Sequence, residues 1–418
     1  MKLIKTSFYS GIITIAKFAT GFIANKLVAI YSGAYGVALV GQFTNFIQVI
    51  NILGGGAIQN GIVKYVAEYK NNEENLNLIF KSSLTISIIF GICTSTFFLI
   101  FNFFFPSFLF STNQLFDHIE IIIVVSIFLN IIYVIYSSWL NGLGMIKQLT
   151  FLNLISNFSA ILITYFCTVN FKLRGAFFSL FVIILLNSLF SIVYYFGFKN
   201  IKFSLTSLFK PNKFNKKIVF FSLMALVSLV LTPLTQIIVR IIIEHRFGVE
   251  VSGLWQGMTR ITDGYLSIII TTLSIYYLPK LSSLKNSIDI KKEVVQGYKL
   301  ITPLVCIISF FVYKFRFQII SILYTPDFLE MNKLFFYQTI GGVFKISSWL
   351  LSFIMVSKAM TKLFVITEVL FSLTYILFVY IFTQSYTFEG LSLAYLVNYL
   401  LYFLFFIVYS KKIISYNA

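Results

Sequence analysis

The chain has 418 residues, 58% of them hydrophobic and 11% charged, with a mean hydropathy of +0.90, whereas a soluble domain has roughly 25% charged residues. This composition excludes a soluble enzyme or binding module and defines an integral membrane protein. The formal charge of +18 needs no nucleic acid to explain it, because the lysines and arginines of a membrane protein gather in its cytoplasmic loops.

The apolar segments are continuous runs and do not alternate as barrel strands do, so the expected fold is all-α. The start, MKLIKTSFYS, places two lysines before an apolar run that continues to about Tyr31 without a small-residue cleavage site, and it reads as a retained first helix. Stretches of about twenty apolar residues then fall near 8–30, 37–58, 83–105, 119–139, 148–168 and 175–197. A second set falls near 218–243, 251–278, 300–322, 333–356, 363–383 and 388–410. After the second span comes GGGAIQNGIVKYVAEYKNN, whose glycines suggest a phosphate loop. Position 59 is Gln59 where a dinucleotide fingerprint needs glycine, and Gly61 is followed by Ile62 where a P-loop needs lysine. The stretch reads instead as the small-residue cytoplasmic end of span two, leading into a helix at the membrane surface that carries Lys64.

With the amino terminus in the cytoplasm, the inner loops collect most of the lysines and the outer loops keep chiefly Lys172, Arg174 and Arg246, so both termini are expected inside. A faint repeat links the halves. Gln42 and Gln256, Gly144 and Ala359, Gly175 and Gly390, and Thr112 and Thr325 recur at separations of 213 to 215 residues. The expected organisation is about twelve helices in two pseudo-symmetric six-helix lobes around a central cavity: 1–199, a cytoplasmic linker 200–217, and 218–418. Transporters built from such repeats place substrate between the halves and expose it alternately to the two sides.

Charges inside spans cost about 2.5 to 3.5 kcal/mol each and normally face a cavity. Here they are Lys17, Arg240, Arg260, Asp263, Lys345 and Glu368, four cations against two anions, which suits phosphates better than cationic drugs. Arg260 and Asp263 lie three apart on one helix face and can pair, so a structural ion pair competes with a substrate role. Lys17 and Lys345 have no acid near in sequence and are expected to face water. Lys26, Lys314 and Arg316 lie nearer outer ends and read as snorkelling residues. Cys93, Cys167 and Cys306 fall in apolar spans and imply neither disulfide nor metal site, and His118 and His245 at span ends make no metal site alone. No cofactor is implied, and the scattered acids of the short outer loops argue against a membrane-bound polymerase or transferase. Sequence alone does not sort the abundant aromatics.

The stretches NGIVKYVAEY from Asn60, LWQGMTRITDGYL from Leu254, SIYYLPKLSSL from Ser274 and KEVVQGYKLITP from Lys292 resemble those of Wzx-type flippases of lipid-linked oligosaccharides. These belong to the polysaccharide branch of the multidrug, oligosaccharidyl-lipid and polysaccharide exporter superfamily. VSKAMTKLFVITEV from Val356 and FFSLMALVSLVLTP ending at Pro233 extend the likeness over the chain. The resemblance implies two lobes forming a V-shaped cavity and the flipping of undecaprenyl-diphosphate-linked repeat units, as for O antigen or enterobacterial common antigen, across the bacterial inner membrane. It implies substrate contacts at Lys17, Arg240 and Lys345, with Asp263 and Glu368 at matching positions as candidates for ion coupling. Arg260 stands where such proteins often carry a small polar residue, so its contact would be specific to this chain's glycan. Lys64 would meet the phosphate as the lipid enters. Expected partners are the lipid-linked oligosaccharide, membrane lipid, a polymerase and a chain-length regulator. The alternative is a drug or cation antiporter of the multidrug branch.

Overall fold

A computed structural model describes residues 2–104, 119–196, 212–273, 277, 280–281, 284, 286–358 and 360–414. Residues 200–211 of the expected linker, Thr112 and Ala359 of the repeat, and parts of the SIYYLPKLSSL stretch lie outside the described residues. The helices are α1 (Lys2–Gly55), α2 (Gln59–Glu68), α3 (Glu73–Phe104), α4 (Ile119–Gly142), α5 (Ile146–Phe196) and α6 (Lys213–Phe247). There follow α7 (Val249–Thr272), α8 (Ser287–Lys314), α9 (Arg316–Leu323), a 3-10 segment (Pro326–Leu334), α10 (Phe335–Ser357), α11 (Thr361–Ser385) and α12 (Gly390–Ile414). No strand occurs among the described residues, as expected where lipid offers no hydrogen bonds and each segment must satisfy its own backbone. Among the described residues, eight helices are long and apolar enough to cross a membrane. α6 and α7, of 35 and 24 residues, are long enough too but carry Arg240, Arg260 and Asp263.

Two of the helices hold two expected spans each. α1 has 54 residues and is broken at Gly33, whose φ of 59° and ψ of −163° are non-helical. α5 has 51 residues and is broken at Lys172, with φ 48° and ψ −128°. Past that break, a side chain on Gly175 would run into the carbonyl of Cys167, eight residues back, which is possible only if the chain reverses at the break. Residues eight apart in an unbroken helix would stand about 12 Å apart.

The repeat is written in the backbone. Gly33 and Gly248, 215 residues apart, both take positive φ at a break before a helix. α4 ends at Gly142 and α10 at Ser357, and α5 starts at Ile146 and α11 at Thr361, again at 215. The turns between them match bond for bond: the Met145 amide donates to Leu140 at 2.9 Å and the Met360 amide to Met355 at 2.8 Å. Gly390 meets the Phe382 carbonyl, eight residues back, as Gly175 meets that of Cys167.

The chain packs as two compact units whose boundaries differ from the expected lobes. One consists of residues 3–42 with 235–418, the other of 43–234. Residues 3–42 pack with the second half because glycines admit close contact there: a side chain on Gly253 would strike the Ala34 carbonyl, and one on Gly41 would stand 2.8 Å from Gln256 Cδ. The linker also ends earlier than expected, since α6 begins at Lys213. Asn212 fixes that start, its Oδ1 accepting from the Phe214 amide at 2.9 Å and the Ser82 hydroxyl at 2.8 Å.

In the first unit α10 is the central helix, touching α7, α8, α11 and α12. Leu266, Leu273, Val305, Ile346, Leu350, Ile354 and Phe406 close its core. In the second unit, α4 lies against α2, α3 and α5, and Gly54, Gly91 and Gly142 let neighbouring helices reach van der Waals contact or closer. Phe43 stands edge-on to Phe177 and Phe181 at 5.1 and 5.5 Å.

Candidate functional site

Most of the charges read from the sequence meet in the unit formed by 3–42 and 235–418. Asp263 on α7 faces Lys345 on α10, with Oδ1 and Nζ 3.4 Å apart. The ammonium lies 5.8 Å from the ring of Tyr395 and 5.4 Å from that of Tyr399, both on α12, so its charge is held by a carboxylate and two aromatic faces. Gly341 and Gly342 make room for this cage: a side chain at the first would collide with the Tyr395 ring, and at the second with the Tyr265 hydroxyl. The Lys345 side chain is 13% exposed and that of Asp263 45%. A carboxylate so open on a spanning helix belongs beside water, not hydrocarbon.

Glu368 on α11 lies at the Tyr402 end of the same aromatic row, its Oε1 accepting from the Tyr402 hydroxyl at 2.8 Å. Tyr395, Tyr399 and Tyr402 are spaced four and three residues apart, so α12 presents them on one face. Their rings stand 4.7 and 6.4 Å apart in sequence order, and Tyr375 joins Tyr395 at 6.2 Å. These tyrosines are the part of the site missed from the sequence, though their helical spacing was a usable signal. They supply stacking surface and hydroxyls without adding charge.

The other predicted residues fall into three situations. Arg260 is partly buried, and a side chain on Gly21 would stand 3.3 Å from its Nη1. Lys17, exposed, lies one turn before Gly21 on the same face of α1, so these two cations share a neighbourhood. Spacing allows Asp263 to pair with Arg260, and the ion pair it makes is with Lys345, because packing α10 on α7 brings a second cation across the helix boundary. Arg240 is fully buried, at 0% exposure. Its guanidinium donates to the Ala38 carbonyl and to Gln256 Oε1 and lies 5.8 Å from the Trp255 ring. In this arrangement it ties α1, α6 and α7 together and reaches no open space. Lys64 sits on α2 in the other unit, exposed and 5.3 Å from the Tyr65 ring, while Tyr65 and Tyr69 pack on Phe214. Of the expected snorkelling residues, Lys26 bonds the Ile322 carbonyl at the end of α9. Among the described residues no cluster of histidine, cysteine, aspartate or glutamate could hold a metal ion.

A caged lysine with a nearby arginine and exposed lysine can attract an anion, and a tyrosine row can stack on sugar rings or donate hydrogen bonds. Comparison with known proteins narrows this chemistry. The chain is 27% identical over 411 residues to the lipid III flippases of Escherichia coli (strain K12) and Shigella flexneri, covering 96% of this chain and 97% of each relative. Among solved structures, the inward-facing conformation of a multidrug resistance MATE family transporter of the MOP superfamily matches with a TM-score of 0.80 at 15% identity, over 97% of this chain and 96% of that one. An outward-facing conformation of such a transporter matches with a TM-score of 0.74 at 14% identity, over 99% of this chain and 95% of that one. These structural likenesses establish the fold alone, a polytopic all-helical one. Residues 3–285 match the family described as polysaccharide biosynthesis protein, and the chain belongs to that family.

Proposed function

We propose that this protein flips an undecaprenyl-diphosphate-linked oligosaccharide, of the O-antigen or enterobacterial common antigen type, from the cytoplasmic to the periplasmic leaflet of the inner membrane. Both termini would lie in the cytoplasm. The observation that carries the reading is the caged Lys345, set beside Asp263 and tyrosine rings within spanning helices. Lys17 and Arg260 in the same unit add charge for a diphosphate. Similarity over nearly the whole length of the lipid III flippase relatives supports a lipid-linked cargo. The diphosphate is drawn to the cations, the glycan occupies water, and the polyprenyl tail stays in lipid, so no very long apolar chain needs to be enclosed. Lys64 on the surface helix α2 meets the headgroup on entry, whereas Arg240 supports the site from within. A polymerase and a chain-length regulator would act on the flipped product.

Asp263 and Glu368 are the candidates for ion coupling. Asp263 is open to solvent and Glu368 is held by Tyr402, so neutralising the first would release Lys345, and neutralising the second would remove the charge assistance from the tyrosine hydrogen bond. Replacing both by amides abolishes any pH dependence of transport if they carry the coupling, and leaves it intact if they do not.

The defining experiment is translocation of a traceable undecaprenyl-diphosphate oligosaccharide in vesicles, wild type against Lys17→Ala with Lys345→Ala. Transport lost in a folded variant supports the reading. The half-exposed Asp263 favours a second reading, a cation antiporter, which predicts ethidium efflux by the wild type and no flipping of any glycolipid.

A further inference from the structure

The 215-residue repeat can be read position by position because its turns and helix ends bracket the spanning residues. Counting from Gly33 and Gly248, Arg260 corresponds to Asn45 and Asp263 to Gln48. Counting from the ends of α4 and α10, Lys345 corresponds to Asn130. From the starts of α5 and α11, Glu368 corresponds to Asn153, and from Gly175 and Gly390, Tyr402 corresponds to Asn187. Arg260, Asp263, Lys345 and Glu368, and the tyrosine that holds Glu368, are each matched in the unit 43–234 by a carboxamide.

Amides in spanning helices often serve as glue between helices. Asn153 does so in part, accepting from the Tyr133 hydroxyl on α4 at 3.3 Å and donating to the Leu149 carbonyl at 2.8 Å. Gln48, Asn45 and Asn187 do not fit that role. Gln48 is exposed within the second span, and Asn45, 7% exposed, has an Nδ2 with no partner. Asn187 Oδ1 is likewise buried without a partner. An unsatisfied buried polar group costs about 1 to 3 kcal/mol, so a ligand that completes it is stabilised. Carboxamides donate and accept in equal measure and carry no charge. That suits hydroxyls and acetamido groups, and offers little to a phosphate.

We propose that the unit 43–234 holds a charge-free, amide-lined subsite, built on Asn45, Gln48, Asn130, Asn153 and Asn187, that takes the uncharged hydroxyl-bearing glycan of the cargo. This rests on the transport reading above and assigns the glycan to residues separate from the cation site.

The test is binding to the full chain in lipid nanodiscs, with two probes: the glycolipid that accumulates in source cells when this chain is deleted, and undecaprenyl diphosphate without sugar. Gln48→Ala with Asn130→Ala weakens glycolipid binding about tenfold, equivalent to one or two hydrogen bonds, and leaves undecaprenyl diphosphate binding unchanged. Lys345→Ala weakens both. Melting temperature is followed alongside, and if the double variant melts early, Gln48→Ala alone, at an exposed position, gives the same split on a smaller scale. Equal loss for both probes, or no loss for either, overturns the subsite. A wild type that binds neither probe overturns the transport reading, and the subsite with it.

Discussion

Residues 25–153 and 240–368 carry the same breaks, helix ends and turn hydrogen bonds, yet where the later stretch has Arg240, Arg260, Asp263, Lys345 and Glu368, the earlier has Asn25, Asn45, Gln48, Asn130 and Asn153. The difference teaches that architecture and chemistry reside in separate residues. Apolar length, the glycine break at Gly33 and Gly248 and close helix contacts set the backbone, and both halves keep them. A few spanning side chains set what can bind. Charges at such positions cost several kcal/mol unless partnered, and the later stretch meets that cost with an ion pair, aromatic faces and a tyrosine hydroxyl.

The largest expected effect tests the charged half. Lys345→Ala removes the cation and leaves Asp263 without its ion pair, and flipping should fall about a hundredfold, on the scale of breaking a partly buried pair. Lys345→Arg should retain part of it, and a vesicle translocation assay reads both. Next, Arg240→Ala should destabilise the fold by about 3 kcal/mol, because the Ala38 carbonyl and Gln256 lose a buried charged donor. Its amide counterpart, Asn25→Ala, should cost about 1 kcal/mol. Thermal unfolding in detergent compares the two, and equal costs would break the contrast drawn between the halves.

The shared backbone is tested by Gly175→Ala and Gly390→Ala, each of which forces a side chain against a carbonyl eight residues earlier. Both should lose about 2 kcal/mol through overpacking, and a large loss at one alone would weaken the repeat. The smallest effect is a gain. Lys172 holds φ 48°, ψ −128° without being glycine, so Lys172→Gly should stabilise by about 1 kcal/mol as that strain is relieved.

Much of the architecture was legible in the sequence because a membrane span is a composition signal of fixed length. Most of the expected segments fall on helices, including the two pairs merged in α1 and α5, whereas 300–322 runs across the break between α8 and α9. The inventory of charges within spans was legible for the same reason, since each stands out against an apolar run. Partnerships were not. Spacing along one helix lets Asp263 pair with Arg260, whereas its ion pair reaches 82 residues away to Lys345. That choice depends on which helices pack, and no local pattern encodes it. Arg240 looked like the other cations until its burial against Ala38 was seen. The grouping of 3–42 with the second half rests on close contacts at Gly41 and Gly253, and glycine frequency alone does not reveal which glycines touch.

The bond from Arg240 to the Ala38 carbonyl also sets a timetable. The two residues are 202 apart in the chain, and at roughly 5 to 20 residues per second of synthesis the acceptor emerges about 10 to 40 seconds before its donor. During that interval the first span and the stretch around Ala38 sit in the membrane without the helices that will cover them. Biogenesis therefore depends on whatever shelters an incomplete unit in the bilayer, and a ribosome that stalls before α6 leaves behind a fragment marked for proteolysis by its own unmet contacts.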